Sequence, residues 1–343
     1  MEVLNQEKIL VIQTAFLGDA ILTLPMIQKL REKFTGCSIS VICIPSTDEV
    51  FKSSPSVDNV IVYDKRGKQK SLRSFFQFVK YLRKQSYTRI YSPHRSIRSS
   101  LLVLLSKVEK TFGFENSTMS FVYMVKRNYH KAVHEVARNL ELIGYDTSGE
   151  NWKILPLINI SVTIKEKIHS ILANNNLQNI IAIAPGSVWN TKIYPKDYFV
   201  DIIKSLIGEK FTVVLIGGKD DSELCDDIAH HFDSNVKAFA GSLSILESIE
   251  LIRNAKLLLS NDSAPTHMGM IADIPTLTIY CSTVYYFGFY PYNQRSSFIS
   301  YDDLKCKPCG VHGHRTCPIK TFDCAYKLHP GFVVKKIHEL LTP

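Results

Sequence analysis

The stretch from Lys256 to Met270, KLLLSNDSAPTHMGM, decides the fold. Leu257, Leu258 and Leu259 form a short apolar run that fits a strand buried on both faces, as in a parallel sheet. Asp262 and Ser263 are helix N-cap residues, and Pro265 suits the first helical turn that continues into Thr266, His267 and Met268. A strand therefore runs straight into a helix N-terminus. Such a terminus presents free N–H groups and a partial positive charge, which favour anions and phosphates above all. In an open parallel sheet it also lies at the carboxyl ends of the strands, where ligands bind. A well-capped helix without a ligand carries the same signature, so the neighbouring stretches decide.

Two of them repeat the arrangement. Asn179–Ala184 reads as a strand followed by Pro185-Gly186-Ser187 and, a turn later, Lys192; Phe211–Ile216 reads as a strand ending at Gly217-Gly218, with Glu223 on the next helix. Glycines let a backbone approach a ligand closely, Lys192 supplies a cation and Glu223 can accept hydroxyl hydrogen bonds from a ribose. Together with Asp262, Ser263, Ala264 and His267, these stretches suit a nucleotide or nucleotide-sugar half. No GxGxxG follows the first strand and no GxxxxGK[ST] occurs, which speaks against dinucleotide and P-loop sites.

The first half follows the same rhythm. Lys8–Gln13, Ser38–Ile44, Val60–Tyr63 and Arg89–Tyr91 read as strands, with helical spacing over 20–34 and an amphipathic helix from Ser71 to about Lys84. Alternating strands and helices mean α/β, with doubly wound parallel sheets. The 343 residues accommodate two such domains facing a cleft: residues 1–158, a linker region over 159–178, a second domain over 179–328, and a terminal helix over 329–343. Asp19, after Gly18 at the first strand-to-helix turn, can serve as a general base or simply as an N-cap.

The net charge of +9 is unevenly placed. Residues 65–138 hold 17 Lys or Arg against Glu109, Glu115 and Glu135, a local charge of +14 that leaves −5 for the rest. An anionic partner for the first half, such as a phosphorylated substrate or a membrane surface, would explain this, as would a solvated basic face. No recognised nucleic-acid motif is present. The helix from Ser71, with Phe75, Phe76, Phe78 and Tyr81 among Lys80 and Arg83, fits either a membrane contact or a core-packing helix with a wet basic edge. The first twenty residues lack a long apolar signal region, and no run approaches the ~18–20 apolar residues of a membrane span, so a cytoplasmic protein with reduced thiols is expected. Cys306, Cys309, Cys317 and Cys324 form a CxxC-led cluster that admits a structural zinc site or packed thiols.

Gly18-Asp19 followed by Leu22-Thr-Leu-Pro25, the Pro93–Ser99 segment with Arg95 and Arg98, the His134–Leu140 helix, Pro185-Gly186-Ser187 through Lys192 and Pro195, and Asn261–His267 occur in one order along nearly the whole chain. Jointly they resemble glycosyltransferase family 9, the ADP-heptose:lipopolysaccharide heptosyltransferases, most closely the heptosyltransferase II subgroup. The resemblance implies a GT-B fold whose last helix crosses back to the first domain. It implies inverting transfer of heptose from ADP-heptose to a phosphorylated lipopolysaccharide core at the inner face of the inner membrane, without metal or cofactor. Asp19 would take the base role, with Gly18, Arg95 and Arg98 on the acceptor side. Gly186, Ser187, Lys192, Gly217, Gly218, Glu223, Asp262, Ser263, Ala264 and His267 would hold the donor. Ile193-Tyr194 stands where the family has Arg-Trp, and Asp262-Ser263-Ala264 replaces Asp-Thr-Gly. The resembled subgroup carries similar cysteines and is not regarded as metal-dependent, which favours packed thiols. A transferase using another nucleotide sugar or acceptor, and a non-catalytic two-lobed binding protein, are the alternatives.

Overall fold

A computed structural model describes residues 6–342, which divide into two compact units with the boundary between Asn159 and Ile160. The first unit contains β1 (Lys8–Ile12), α1 (Leu17–Lys33), β2 (Ser38–Cys43), α2 (Asp48–Lys52), β3 (Asn59–Val62), α3 (Leu72–Lys84), β4 (Arg89–Ser92), α4 (Ile97–Ser106), β5 (Lys110–Phe114), β6 (Val125–Arg127) and α5 (Glu135–Leu142). Its six strands are all parallel, in the order β3-β2-β1-β4-β5-β6. The four C-terminal residues of β1 are fully buried, as a central parallel strand requires. Ser71 caps α3 by accepting the Ser74 N–H, and Phe75, Phe78, Val79 and Leu82 face inward. With Leu102 and Val103 of α4 and Tyr123 beyond it, these side chains cover one face of the sheet. Each fully buried aromatic or aliphatic side chain contributes about 1.5–3 kcal/mol.

The second unit contains α6 (Val162–Asn174), β7 (Ile180–Ala184), α7 (Lys196–Gly208), β8 (Thr212–Leu215), α8 (Ser222–Ala229), β9 (Val236–Ala238), α9 (Ile245–Arg253), β10 (Leu257–Asn261), α10 (Ala264–Ala272), β11 (Thr276–Tyr280), β12 (Ser297–Ser300), α11 (Asp323–Tyr326) and α12 (Pro330–Leu341). Its parallel order is β12-β11-β10-β7-β8-β9. Gly269 lets α10 lie directly on the sheet, because a Cβ there would overlap the Thr276 hydroxyl and sit 3.1 Å from Leu258. Both sheets are thus doubly wound with flanking helices, as the alternation of elements predicts.

One detail differs from the sequence-based expectation. The region over 159–178 is not an extended linker: Ser161 caps α6 by accepting the Ile164 N–H, and the helix packs beside α9. The terminal helix α12 buries Val333 and Ile337 in the core of the second unit and packs on α7. Among the described residues no helix is long and apolar enough to cross a membrane.

Candidate functional site

Strand order locates the sites. Each sheet reverses its direction of winding once, between β1 and β4 in the first unit and between β7 and β10 in the second. The crevice beyond the carboxyl ends of such a strand pair is where open α/β sheets bind ligands. In the second unit the loops after β7 and β10 are the two Gly-rich and Asp-rich stretches singled out above. They are stitched together. The Asn261 amide donates to the Pro185 carbonyl at 2.6 Å and its oxygen accepts the Tyr194 N–H at 3.2 Å. Ser263 Oγ donates to Gly186 O at 3.5 Å.

Across this junction Lys192 Nζ meets Asp262 Oδ2 at 2.7 Å, each side chain only 12% exposed. Thr283 Oγ1 donates to the same Asp262 oxygen at 2.6 Å. Ser263 is the N-cap of α10 by position, yet its side chain makes no capping hydrogen bond. A helix terminus and an ammonium held by a carboxylate therefore share one strand end. His267, one turn into α10, is buried, and its Nδ1 has no hydrogen-bond partner among the described residues. Burial pushes its pKa down to about 4, opposed by Asp262 and reinforced by Lys192, so the imidazole is neutral at pH 7.

The neighbouring strand end brings an acid that sequence reading passed over. Glu223, expected as the ribose acceptor, lies exposed on the first turn of α8. Asp221 instead fills the space between the glycine loops: it accepts the Gly218 N–H at 2.8 Å, and a Cβ on Gly217 would stand 2.7 Å from it. A Cβ on Gly186 would overlap its carboxylate. Burial raises the Asp221 pKa, with a contribution from Asp220. The glycines of these two loops thus make room for this carboxylate as well as for any ligand. Ser187 is half-buried beside them, and its Oγ accepts the Trp189 N–H at 3.5 Å. Ala264 opens α10 in a half-buried position. Tyr194, at the family's Trp position, is a core residue whose hydroxyl donates to Leu328 O.

The cysteine-rich tail leans on the same loop. Thr191, beside Lys192, exchanges hydrogen bonds with the backbone of His314, its hydroxyl accepting the His314 N–H at 2.7 Å, and Ser282 Oγ donates to Thr191 at 3.0 Å. Cys309 N–H reaches Ser282 O at 2.8 Å. Cys306, Cys309, Cys317 and Cys324 are free thiols, and no group of three or more His, Cys, Asp or Glu among the described residues is arranged to hold a metal ion. The tail braces the Lys192 loop through its backbone.

In the first unit, Asp19 lies in the first turn of α1, whose N-cap is Phe16. It is therefore an acid inside the helix and not the cap residue. Gly18 precedes it in the same turn. Asp19 is partly accessible, but its carboxyl is crowded by protein. Burial, reinforced by the charge of Glu135 and opposed by Arg95, raises its pKa to about 7. The backbone beneath it is fixed: Thr23 Oγ1 donates to Asp19 O at 2.7 Å, and Gln13 Nε2 donates to Thr23 Oγ1 at 2.8 Å.

The loop after β4 joins this strand end through His94, whose Nδ1 lies 2.9 Å from both Thr14 Oγ1 and Ser99 Oγ. Burial, Lys65 and Arg95 push the His94 pKa down to about 4. Arg95 and Arg98 are three apart in sequence, a spacing that would put them on one helix face, but they do not share one. Arg95 precedes Ser96, the N-cap of α4, and stacks 3.8 Å above the Tyr129 ring. Arg98 donates to Lys65 O at 3.0 Å, and Lys65 Nζ donates to Thr14 O at 2.6 Å. Glu135 and Arg138 pair at 2.8 Å in near-complete burial, and the Tyr129 hydroxyl donates to Glu135 at 3.0 Å. Lys65, His94, Tyr129, Glu135 and Arg138 escaped sequence reading as site residues. The Glu135–Arg138 spacing of three on one helix was the available signal. The result is a carboxyl raised towards neutral pH beside the buried Glu135–Arg138 pair and Arg95.

The family model for glycosyltransferase family 9 (heptosyltransferase) matches residues 75–320. Lipooligosaccharide heptosyltransferase 2 of Campylobacter jejuni is 24% identical over 98% of this chain and 100% of its own length. The solved structure of E. coli ADP-heptose lps heptosyltransferase II superposes with a TM-score of 0.79 at 20% identity, covering 97% of this chain and 98% of that one. The E. coli heptosyltransferase WaaC with ADP-2-deoxy-2-fluoro heptose gives 0.71 at 18% identity, covering 97% and 99%. The two superpositions establish the fold as that of heptosyltransferases. The sequence match, running over the strand ends that carry Arg95, Lys192 and Asp262, assigns the lineage: this chain belongs to glycosyltransferase family 9, the heptosyltransferase family.

Proposed function

We propose that this glycosyltransferase moves heptose from ADP-heptose to a hydroxyl of the lipopolysaccharide inner core, with inversion and without a metal ion, at the cytoplasmic surface of the inner membrane. The Campylobacter relative that matches 98% of the chain is a lipooligosaccharide heptosyltransferase, and the superposable WaaC structure is one with ADP-2-deoxy-2-fluoro heptose. In this reading Asp19 takes the proton of the acceptor hydroxyl while that oxygen attacks the anomeric carbon. The bond from the anomeric carbon to the diphosphate oxygen breaks on the opposite face, and ADP leaves. Its developing charge meets the Lys192 ammonium and the uncapped N-terminus of α10. Gly186, Ser187, Gly217, Gly218, Asp262, Ser263, Ala264 and neutral His267 shape the diphosphate and sugar site, with Glu223 on the ribose. Gly18, Arg95 and Arg98 form the acceptor side, where guanidinium groups suit the core phosphates.

The observation that carries the reading is Asp19, a carboxyl at the winding reversal of the first sheet with a pKa of about 7. A base is most effective when its pKa lies near the working pH. The test is donor competition: purified protein, a heptose-deficient core acceptor, and ADP-heptose against UDP-, GDP- and other ADP-sugars, followed by nucleotide release. ADP release dependent on ADP-heptose supports the reading. Faster release from another nucleotide sugar would overturn the choice of donor, and saturable nucleotide binding with no release under any pairing would overturn the assignment of a base to Asp19.

A further inference from the structure

We propose that the outer surface formed by α3, α4 and the turn at 118–124 docks on an anionic phospholipid bilayer, through basic side chains interleaved with protruding apolar ones. The inference deepens the reading of a transferase that acts at a membrane, and rests on it only for its biological setting. Residues 65–108 contain twelve Lys or Arg and no Asp or Glu. That stretch builds the loop after β3, all of α3, β4 and α4, and of its basic residues Arg89 of β4 pairs with Glu7 within the first unit. The inner sides of α3, α4 and the turn share one core over the same face of the sheet, so their outer sides form one surface. Arg83 Nε donates to Leu105 O at 2.7 Å, holding the two helices side by side.

That outer surface is not an ordinary polar one. Leu72 is 78% exposed, Phe76 57%, Leu104 47% and Phe121 71%. Tyr81 and Ile97 are exposed among them. Arg73, Lys80 and Lys84 stand exposed on α3 between Leu72, Phe76 and Tyr81. An amphipathic helix that already buries Phe75, Phe78, Val79 and Leu82 has no folding use for a second apolar set on its outer side. A polyanion alone would be served by the lysines and arginines without the aromatic and aliphatic side chains. A bilayer surface uses both: the basic groups meet lipid phosphates, and Leu, Phe and Tyr side chains enter the headgroup–acyl boundary. The position fits the site as well. The loop leading into α3 carries Lys65, whose ammonium donates to Thr14 O at the end of β1, and Arg98 of α4 donates to Lys65 O. Docking would bring the strand ends around Asp19 to the lipid surface on which a lipid-anchored acceptor sits.

The test is co-sedimentation of the full chain with vesicles, without donor or acceptor, so that it stands apart from the transfer assay. Wild type should partition to phosphatidylethanolamine–phosphatidylglycerol vesicles at least about tenfold more strongly than to phosphatidylcholine vesicles, and less so as salt is raised. Two double variants separate the contributions: Leu72→Ser with Phe76→Ser, and Arg73→Glu with Lys80→Glu. Each should lower partitioning by about tenfold or more while leaving turnover on a soluble, deacylated acceptor unchanged, which also shows that the variant is folded. Equal binding to neutral and anionic vesicles, or wild-type partitioning by both double variants, would overturn the proposal. If the double variants bind normally and a nucleic-acid or protein partner is lost instead, the surface serves a different occupant and the proposal fails.

Discussion

Replacing Asp19 with asparagine removes a charge that the fold holds at a cost. The carboxyl has an ordinary pKa of 3.8 in the unfolded chain and about 7 in the folded one. The folded state therefore binds the proton more tightly. Below about pH 4 both states are protonated and the site costs nothing; as pH rises through 7 the folded protein gives up its proton against burial and the nearby Glu135 charge, and stability is lost. At about 1.4 kcal/mol per pKa unit the ceiling above pH 8 is about 4 kcal/mol. Asp19 is partly accessible to solvent, which reduces this to about 1–2 kcal/mol. Asparagine keeps the shape and never ionises. Asp19→Asn is expected to exceed wild type by that amount at pH 8, equivalent to about 2–8 °C in Tm, with the difference fading towards pH 4. Turnover should fall by about 10²–10⁴-fold, as for loss of a general base. Denaturant unfolding and initial rates at pH 5 and pH 8 read both effects. A variant that is less stable than wild type at pH 8, or one that keeps its turnover, would refute the assignment. This pairing of lost activity with gained stability marks a site held ready for chemistry.

Other consequences follow from the same geometry. Wild-type kcat/KM should climb with pH to a plateau above about 7, reporting Asp19 in the free enzyme, and a bell centred below pH 6 would contradict it. Lys192→Met removes the ammonium that Asp262 holds at 2.7 Å, and calorimetry should show ADP binding weakened by roughly ten- to a hundredfold. Gly186→Ala drives a methyl group into the Asp221 carboxylate; an overpacking cost of about 1–3 kcal/mol should appear in unfolding curves together with weaker ADP binding. Asn139→Ala cuts the buried bond from its amide to Leu22 O at 3.1 Å, which ties α5 to α1, and should cost about 1 kcal/mol in unfolding without changing ADP affinity.

Much of the fold was legible because buried parallel strands are written as apolar runs. Leu257–Leu259 and Thr276–Tyr280 declare themselves by composition, and Ser71 and Ser244 mark helix starts by capping chemistry. The donor-side loops were legible for the same reason: they are what remains between strand and helix. What stayed hidden depends on tertiary neighbours. Nothing local distinguishes Asp221 from Glu223; only the approach of the Gly186 and Gly217 loops makes the former the half-buried acid. Arg95 and Arg98 suggested a shared helix face because spacing is read on the assumption that the helix has begun, whereas Ser96 caps it between them. Helix α6 reads as linker in the sequence because its apolar side is thin, with Ile168 its only buried residue, and it owes its place to packing beside α9. Lys65, His94 and Tyr129 reach the Asp19 strand end from three different strands, a convergence that sheet order alone produces.

The central claim is that Asp19 deprotonates a core hydroxyl for heptose transfer from ADP-heptose. Its most direct measurement is mass spectrometry of a heptose-deficient lipopolysaccharide core incubated with ADP-heptose and either wild-type protein or Asp19→Asn. The account predicts an acceptor heavier by one heptose, with matching ADP release, for wild type alone. An unchanged acceptor with wild type, or an equal gain with Asp19→Asn, would contradict it.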